Sequence, residues 1–160
     1  MNKLYKKNEV TFAIILIVIY VIGTNIAESL TAEIGIGKLI PAIFHLVFTA
    51  IVAVWTVKNG YAEKYGLTLP KYKLTKVWFF IPLIVVACSG LFFGIKFQYN
   101  QLETVLYVIS MACVGFLEEI IFRGFLFVGM AKKNIKSAII VSSLTFGIGH
   151  IVNLFNGQHI

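Results

Sequence analysis

Three long runs without a single charge restrict this chain to one kind of environment. No Asp, Glu, Lys or Arg stands between Glu9 and Glu28, between Lys38 and Lys58, or between Lys76 and Lys96. The stretches 10–27, 39–57 and 77–95 each approach the roughly 20 helical residues needed to cross a hydrocarbon core about 30 Å thick. A fourth stretch, about 104–131, is equally apolar but is interrupted by Glu118, Glu119 and Arg123, and a fifth begins at Ser137 and contains no further Asp, Glu, Lys or Arg. Continuous apolar runs argue for helices, because a membrane strand shows only about ten residues of alternating pattern, and a helix satisfies its own backbone polar groups in lipid. The expected fold is all-α: a multi-spanning transmembrane bundle of about five helices, forming one membrane domain over 1–160.

Composition excludes the main alternative. The chain is 59% hydrophobic and 13% charged, against roughly 45–50% and 25% in a soluble domain. The net charge of +7 does not imply a nucleic-acid partner, because the lysines fall in particular loops. Lys3, Lys6 and Lys7 precede the first span, five lysines lie in 58–76, and Lys132, Lys133 and Lys136 follow the fourth span. The two alternate connections hold only Lys38 and Lys96. The positive-inside rule then puts the N-terminus in the cytoplasm of a multi-pass cell-membrane protein. The first span lacks a small-x-small cleavage site and reads as a retained anchor rather than a signal peptide. Residues 28–38, which mix polar and apolar types, are expected to lie as a short amphipathic piece at the outer interface. Cys88 and Cys113 both fall within spans, as small core thiols rather than a disulfide or metal pair.

The interrupted fourth span carries the chemistry. Ionisable residues within a membrane helix cost about 2.5–3.5 kcal/mol each on insertion scales, so they face protein or a water-filled cavity and mark functional sites. In Leu117-Glu118-Glu119-Ile120-Ile121-Phe122-Arg123-Gly124, Glu119 and Arg123 stand at i and i+4 with the acid first, the favourable order for a helical ion pair. Glu118 is rotated about 100° from that pair, with no charged residue three or four positions away. A carboxyl in such a setting suits proton transfer near neutral pH. Gly115, on the same face, is expected to let a neighbouring helix come close. On the fifth span, Phe146 and His150 share a face with Asn153. Fourteen residues separate Glu118 from Lys132 and His150 from Lys136, so both sit about 21 Å along antiparallel helices at the α-helical rise. At matched depth the pair can hold one water between them.

Glu118-Glu119-x-x-x-Arg123 followed by Phe146-x-x-x-His150 resembles the first two signature motifs of the CAAX protease and bacteriocin-processing family (CPBP, or Abi) of intramembrane glutamic endopeptidases. The similarity covers about 77–153, and Tyr65-Gly66-Leu67 also looks family-like. The resemblance implies a membrane-embedded peptidase in which Glu118 is the general base, His150 its partner in activating water, and Glu119 and Arg123 further members of the site. Phe146 and Asn153 are expected on the substrate side. The implied substrate is the tail of a lipidated protein or a leader or bacteriocin peptide, presented at the bilayer. One His with two Glu gives no recognised zinc spacing, so no metal and no other cofactor is expected. The family's later His-x-x-x-Asn/Asp motif, associated with oxyanion contacts, has no match: His159 is followed only by Ile160, and His45 has Thr49 at i+4. The chain therefore reads as lacking the family's last helices, and the alternative function is a catalytically inactive bacteriocin self-immunity or scaffold protein. A proton-coupled carrier is a third reading, which the lack of an inverted repeat disfavours.

Overall fold

The computed structural model describes residues 1–69, 81–88 and 100–155; the side chains of 32, 33, 83, 86, 87 and 150–155 fall outside that description. All regular structure among the described residues is helical. A short α1 (Asn2–Lys7) leads into α2 (Glu9–Ile34), followed by α3 (Leu39–Lys58), α4 (Ile81–Cys88) and α5 (Gln101–Glu118). A π-helical segment (Glu119–Val128) continues α5, followed by a single turn α6 (Gly129–Ala131) and then α7 (Ile135–Phe155). Three helical stretches are long and apolar enough to cross a membrane: Glu9–Thr31, Leu39–Lys58 and Gln101–Ala131. Ile135–Gly149 is a shorter apolar helix. The expected third span, 77–95, lies largely outside the described residues, and within it Ile81–Cys88 is helical.

Local signals fix the helix ends. The Asn8 side chain caps α2 by accepting from the amides of Val10 at 3.0 Å and Thr11 at 3.1 Å, which satisfies two donors that the helix cannot. At the other end α2 runs past Glu28 to Ile34 and stops at Gly35, whose φ of 76° is a left-handed C-cap. The stretch 28–38 is therefore not a separate interfacial piece but mostly the last two turns of α2, because nothing in Glu28–Ile34 breaks a helix. A Glu28–Lys38 ion pair of 2.7 Å ties this end to the start of α3. Asn100 opens α5 with a capping box, and Oε1 of its Glu103 also accepts from the Gly37 amide at 2.7 Å. A Cβ at residue 37 would meet that carboxylate, which would have to shift from the Gly37 amide.

α3 packs between α2 and α5, and the π-helical segment packs against α2 and α7. α2 and α3 approach closely where the Phe44 ring lies on Gly23, in the space a Cβ would need. Among the described residues, nothing lies within 4 Å of where a Cβ on Gly115 would stand. The core is built from Phe12, Leu16, Val52, Leu117, Ile121 and Phe125 with their neighbours. The opposite faces of α2, α3, α5 and α7 carry rows of exposed apolar residues such as Ile15, Ile19, Ile22, Ile43, Val47, Val105, Ile140 and Leu144. A water-soluble monomer rarely exposes so continuous an apolar surface; here it is the surface that lipid covers.

At the end of the bundle that gathers the lysines, aromatic rings interlock. Phe12 meets Trp55 and Phe125 with centroids 4.8 and 5.4 Å apart, and Tyr65 sits edge-on to Phe125 at 4.7 Å. Lys64 bonds the Tyr5 hydroxyl and Glu9 at 2.9 Å, and Lys132 reaches the same Glu9 oxygen at 2.7 Å. Gly66, at φ 72°, supplies the left-handed turn that lets Tyr65 and Leu67 both point into this cluster. Burial works against the charge on Lys64, but its hydrogen bonds with Tyr5, Tyr65 and Glu9 outweigh that and hold the ammonium above the ordinary lysine value.

Candidate active site

The two motif segments lie side by side. Glu119 and Arg123 form the expected ion pair, and both side chains stand in the open. The Arg123 guanidinium lies 5.7 Å from the centre of the Phe146 ring on α7, a cation–π distance. Phe146 also packs edge-on to Phe122, with centroids 5.7 Å apart. Phe146 thus joins the two motifs physically. Beside them runs a groove lined by Lys64, Tyr65, Phe116, Glu119, Arg123 and Gly124, so the Tyr65-Gly66-Leu67 loop borders the same site. The backbone of 150–155 continues α7, whereas the side chains of His150 and Asn153, and all of His159, lie outside the described residues.

Glu118 closes α5 and is half-buried. The Tyr20 hydroxyl on α2 donates to its Oε1 at 3.3 Å. Tyr20 itself is only 9% exposed. One helical turn further along α2, Thr24 Oγ1 lies 3.0 Å from Nε2 of His45 on α3, and the Nδ1 of His45 lies 2.8 Å from Ser110 Oγ on α5. The rings of Tyr20 and His45 have centroids 6.0 Å apart. His45, at 2% exposure, is satisfied at both nitrogens: in a neutral imidazole one donates and the other accepts, and each hydroxyl can serve either role. A polar layer therefore crosses three helices inside an otherwise apolar bundle. Sequence reasoning singled out Glu118 in this layer and passed over Tyr20, Thr24, His45 and Ser110. The available signal was a run of polar residues within uncharged spans, at 20 and 24 on one helix and at 45 on the next.

The backbone after Glu118 corrects the depth count. Residues 119–128 wind as a π-helix, with i→i+5 bonding and wider turns, a local form that recurs at functional sites and usually lasts only one turn. Two cross-helix ties bracket the segment. Glu9 meets Lys132 and Tyr20 meets Glu118; between these ties α2 uses eleven residues while the antiparallel chain uses fourteen. Eleven α-helical residues span about 16 Å, against about 21 Å for fourteen. The difference has the sign that the wider π-helical winding gives, with the long Lys132 and Tyr20 side chains free to take up part of it. The count that matched Glu118 with His150 assumed α-helical rise on both sides, whereas 119–128 is π-helical and α7 is α-helical.

Residues 100–159 match the family model described as Type II CAAX prenyl endopeptidase Rce1-like. The matched segment contains both motifs and agrees with the resemblance drawn from them; α2 and α3, which supply Tyr20 and His45, precede it. No curated protein and no solved structure matches the chain.

Proposed function

We propose that this chain is a membrane-embedded peptidase that uses Glu118 as general base, acting on a peptide segment presented at the bilayer, with the tail of a lipid-modified protein as the leading substrate class. The observation that carries the reading is a carboxyl placed inside a bundle of membrane length, beside the Glu119–Arg123 pair and Phe146, within the segment that matches a CAAX-type protease family. Carboxyl groups in such positions mark functional sites rather than scaffolding. In this reading the lysine-rich end faces the cytoplasm, which the distribution of lysines favours.

In this reading Glu118 takes a proton from a water molecule as the water oxygen attacks the peptide carbonyl carbon. The tetrahedral intermediate collapses when the carbon–nitrogen bond breaks and Glu118 returns the proton to the leaving amine. His150 steadies the water or the developing oxyanion, and Arg123, held by Glu119 and Phe146, borders the groove that receives the peptide. A positioned general base contributes about 10²–10⁴-fold. The test reconstitutes the protein in liposomes with a prenylated carboxyl-terminal peptide and, separately, with a leader peptide. Wild-type protein is expected to cleave one of them and Glu118→Gln and His150→Ala to lose at least a hundredfold; cleavage surviving in both variants would sink the mechanism.

A further inference from the structure

Tyr20 does not belong to either motif and lies 98 residues from Glu118 in sequence, yet its hydroxyl reaches the Glu118 carboxyl across α2 and α5. Its surroundings leave the ring little freedom. Tyr20 is part of the buried core cluster, and its ring rests beside that of His45. His45 in turn is pinned on both sides, by Thr24 of the same helix as Tyr20 and by Ser110 of the same helix as Glu118. One imidazole therefore sets the spacing of the two helices that carry donor and acceptor. Thr24 follows Tyr20 by one turn, so the bond from Thr24 to His45 also fixes the rotation of α2 about its axis.

We propose that Tyr20 is a positioning residue for Glu118, aiming the carboxyl by a hydroxyl hydrogen bond, with the Thr24–His45–Ser110 chain as the brace that keeps α2, α3 and α5 in the register this bond needs. An ionised carboxylate only accepts, and a tyrosine hydroxyl is a donor it can use. The bond orients the carboxyl toward α2. The proposal deepens the peptidase reading and takes its chemical purpose from it, but its central measurement does not require turnover.

A membrane-permeant carbodiimide modifies protonated carboxyl groups in membranes, and peptide mass spectrometry distinguishes Glu118 from Glu119. In Tyr20→Phe the ring stays and only the hydroxyl goes; the charged and titratable residues of the chain are unchanged, among them Glu119 and Arg123, which follow Glu118 in sequence, Cys113 on α5 and His45 on α3. Loss of a hydrogen bond to a charged acceptor is expected to raise the modification rate of Glu118 at neutral pH about tenfold. With a cleaved substrate, kcat falls about tenfold at unchanged KM, the signature of an interaction that serves the transition state rather than binding. A labelling rate within twofold of wild type overturns the proposal, as does failure of the reagent to modify Glu118 in either protein. A tenfold labelling difference in a protein that cleaves nothing would overturn the peptidase reading and leave the role of Tyr20 standing.

Discussion

At the lysine-rich end, charged and hydroxyl groups close around a nest of aromatic rings, whereas midway along the bundle the polar groups are strung singly from helix to helix. In the first region Tyr5, Glu9, Lys64 and Lys132 share bonds several ways, and Phe12, Trp55, Tyr65 and Phe125 fill the space beneath them. In the second, Ser110, His45 and Thr24 each meet one neighbour in turn, and Tyr20 reaches Glu118 beside them. The difference separates two tasks. Redundant bonds over interlocked rings hold the helices together, and a thin polar layer reaches one carboxyl from the neighbouring helix.

That separation breaks at its strongest point if the aromatic nest also sets the chemistry. Phe125→Ala removes a fully buried ring and is expected to destabilise the fold by about 3–5 kcal/mol. The protein that remains folded should show the wild-type carbodiimide reactivity of Glu118. Thermal unfolding in detergent, followed by labelling below the transition, reads both; altered reactivity in the folded fraction would show that the two regions are one.

The brace should be weaker in stability and stronger in effect on the carboxyl. His45→Leu leaves the Thr24 and Ser110 hydroxyls without their imidazole partner and is expected to lower the thermal midpoint by about 3–6 °C. It should also raise Glu118 labelling, as Tyr20→Phe does. A midpoint shift with unchanged labelling would reduce His45 to packing.

The smallest effect belongs to the bonds at the rim. Lys64→Met is expected to lower the midpoint by about 2 °C at neutral pH, the scale of a partly exposed ion pair. Because the folded state holds the ammonium above its ordinary value, this stabilisation is complete below the unfolded lysine value of about 10.4 and is lost as pH rises toward the folded one. Wild type and variant should therefore differ by a constant amount up to about pH 10 and converge above it. A difference that grows with pH would contradict the bonding at Lys64.

The spans were legible because absence of charge over a membrane thickness is a property of consecutive residues, and the Glu119–Arg123 pair because i and i+4 meet on any helix. The partnership of Tyr20 and Glu118 was not, since it depends on how two helices with 98 residues between their contact points come to pack. His45 was set aside for lacking a motif, although its hydrogen bonds come from two other helices and leave no spacing pattern in the sequence. The end of α2 was misplaced because polar residues in Glu28–Ile34 suggested an interface, while the actual stop is the left-handed Gly35. The π-helical winding after Glu118 follows from backbone bonding alone and has no side-chain signature.

That winding makes residue number an uneven ruler. The chain from Glu118 to Lys132 is tied to α2 at both ends, while the segment between is wound more widely than an α-helix. Counting residues from the charged rim at the α-helical rise therefore misjudges the height of Glu118. The carboxyl is located by what it touches.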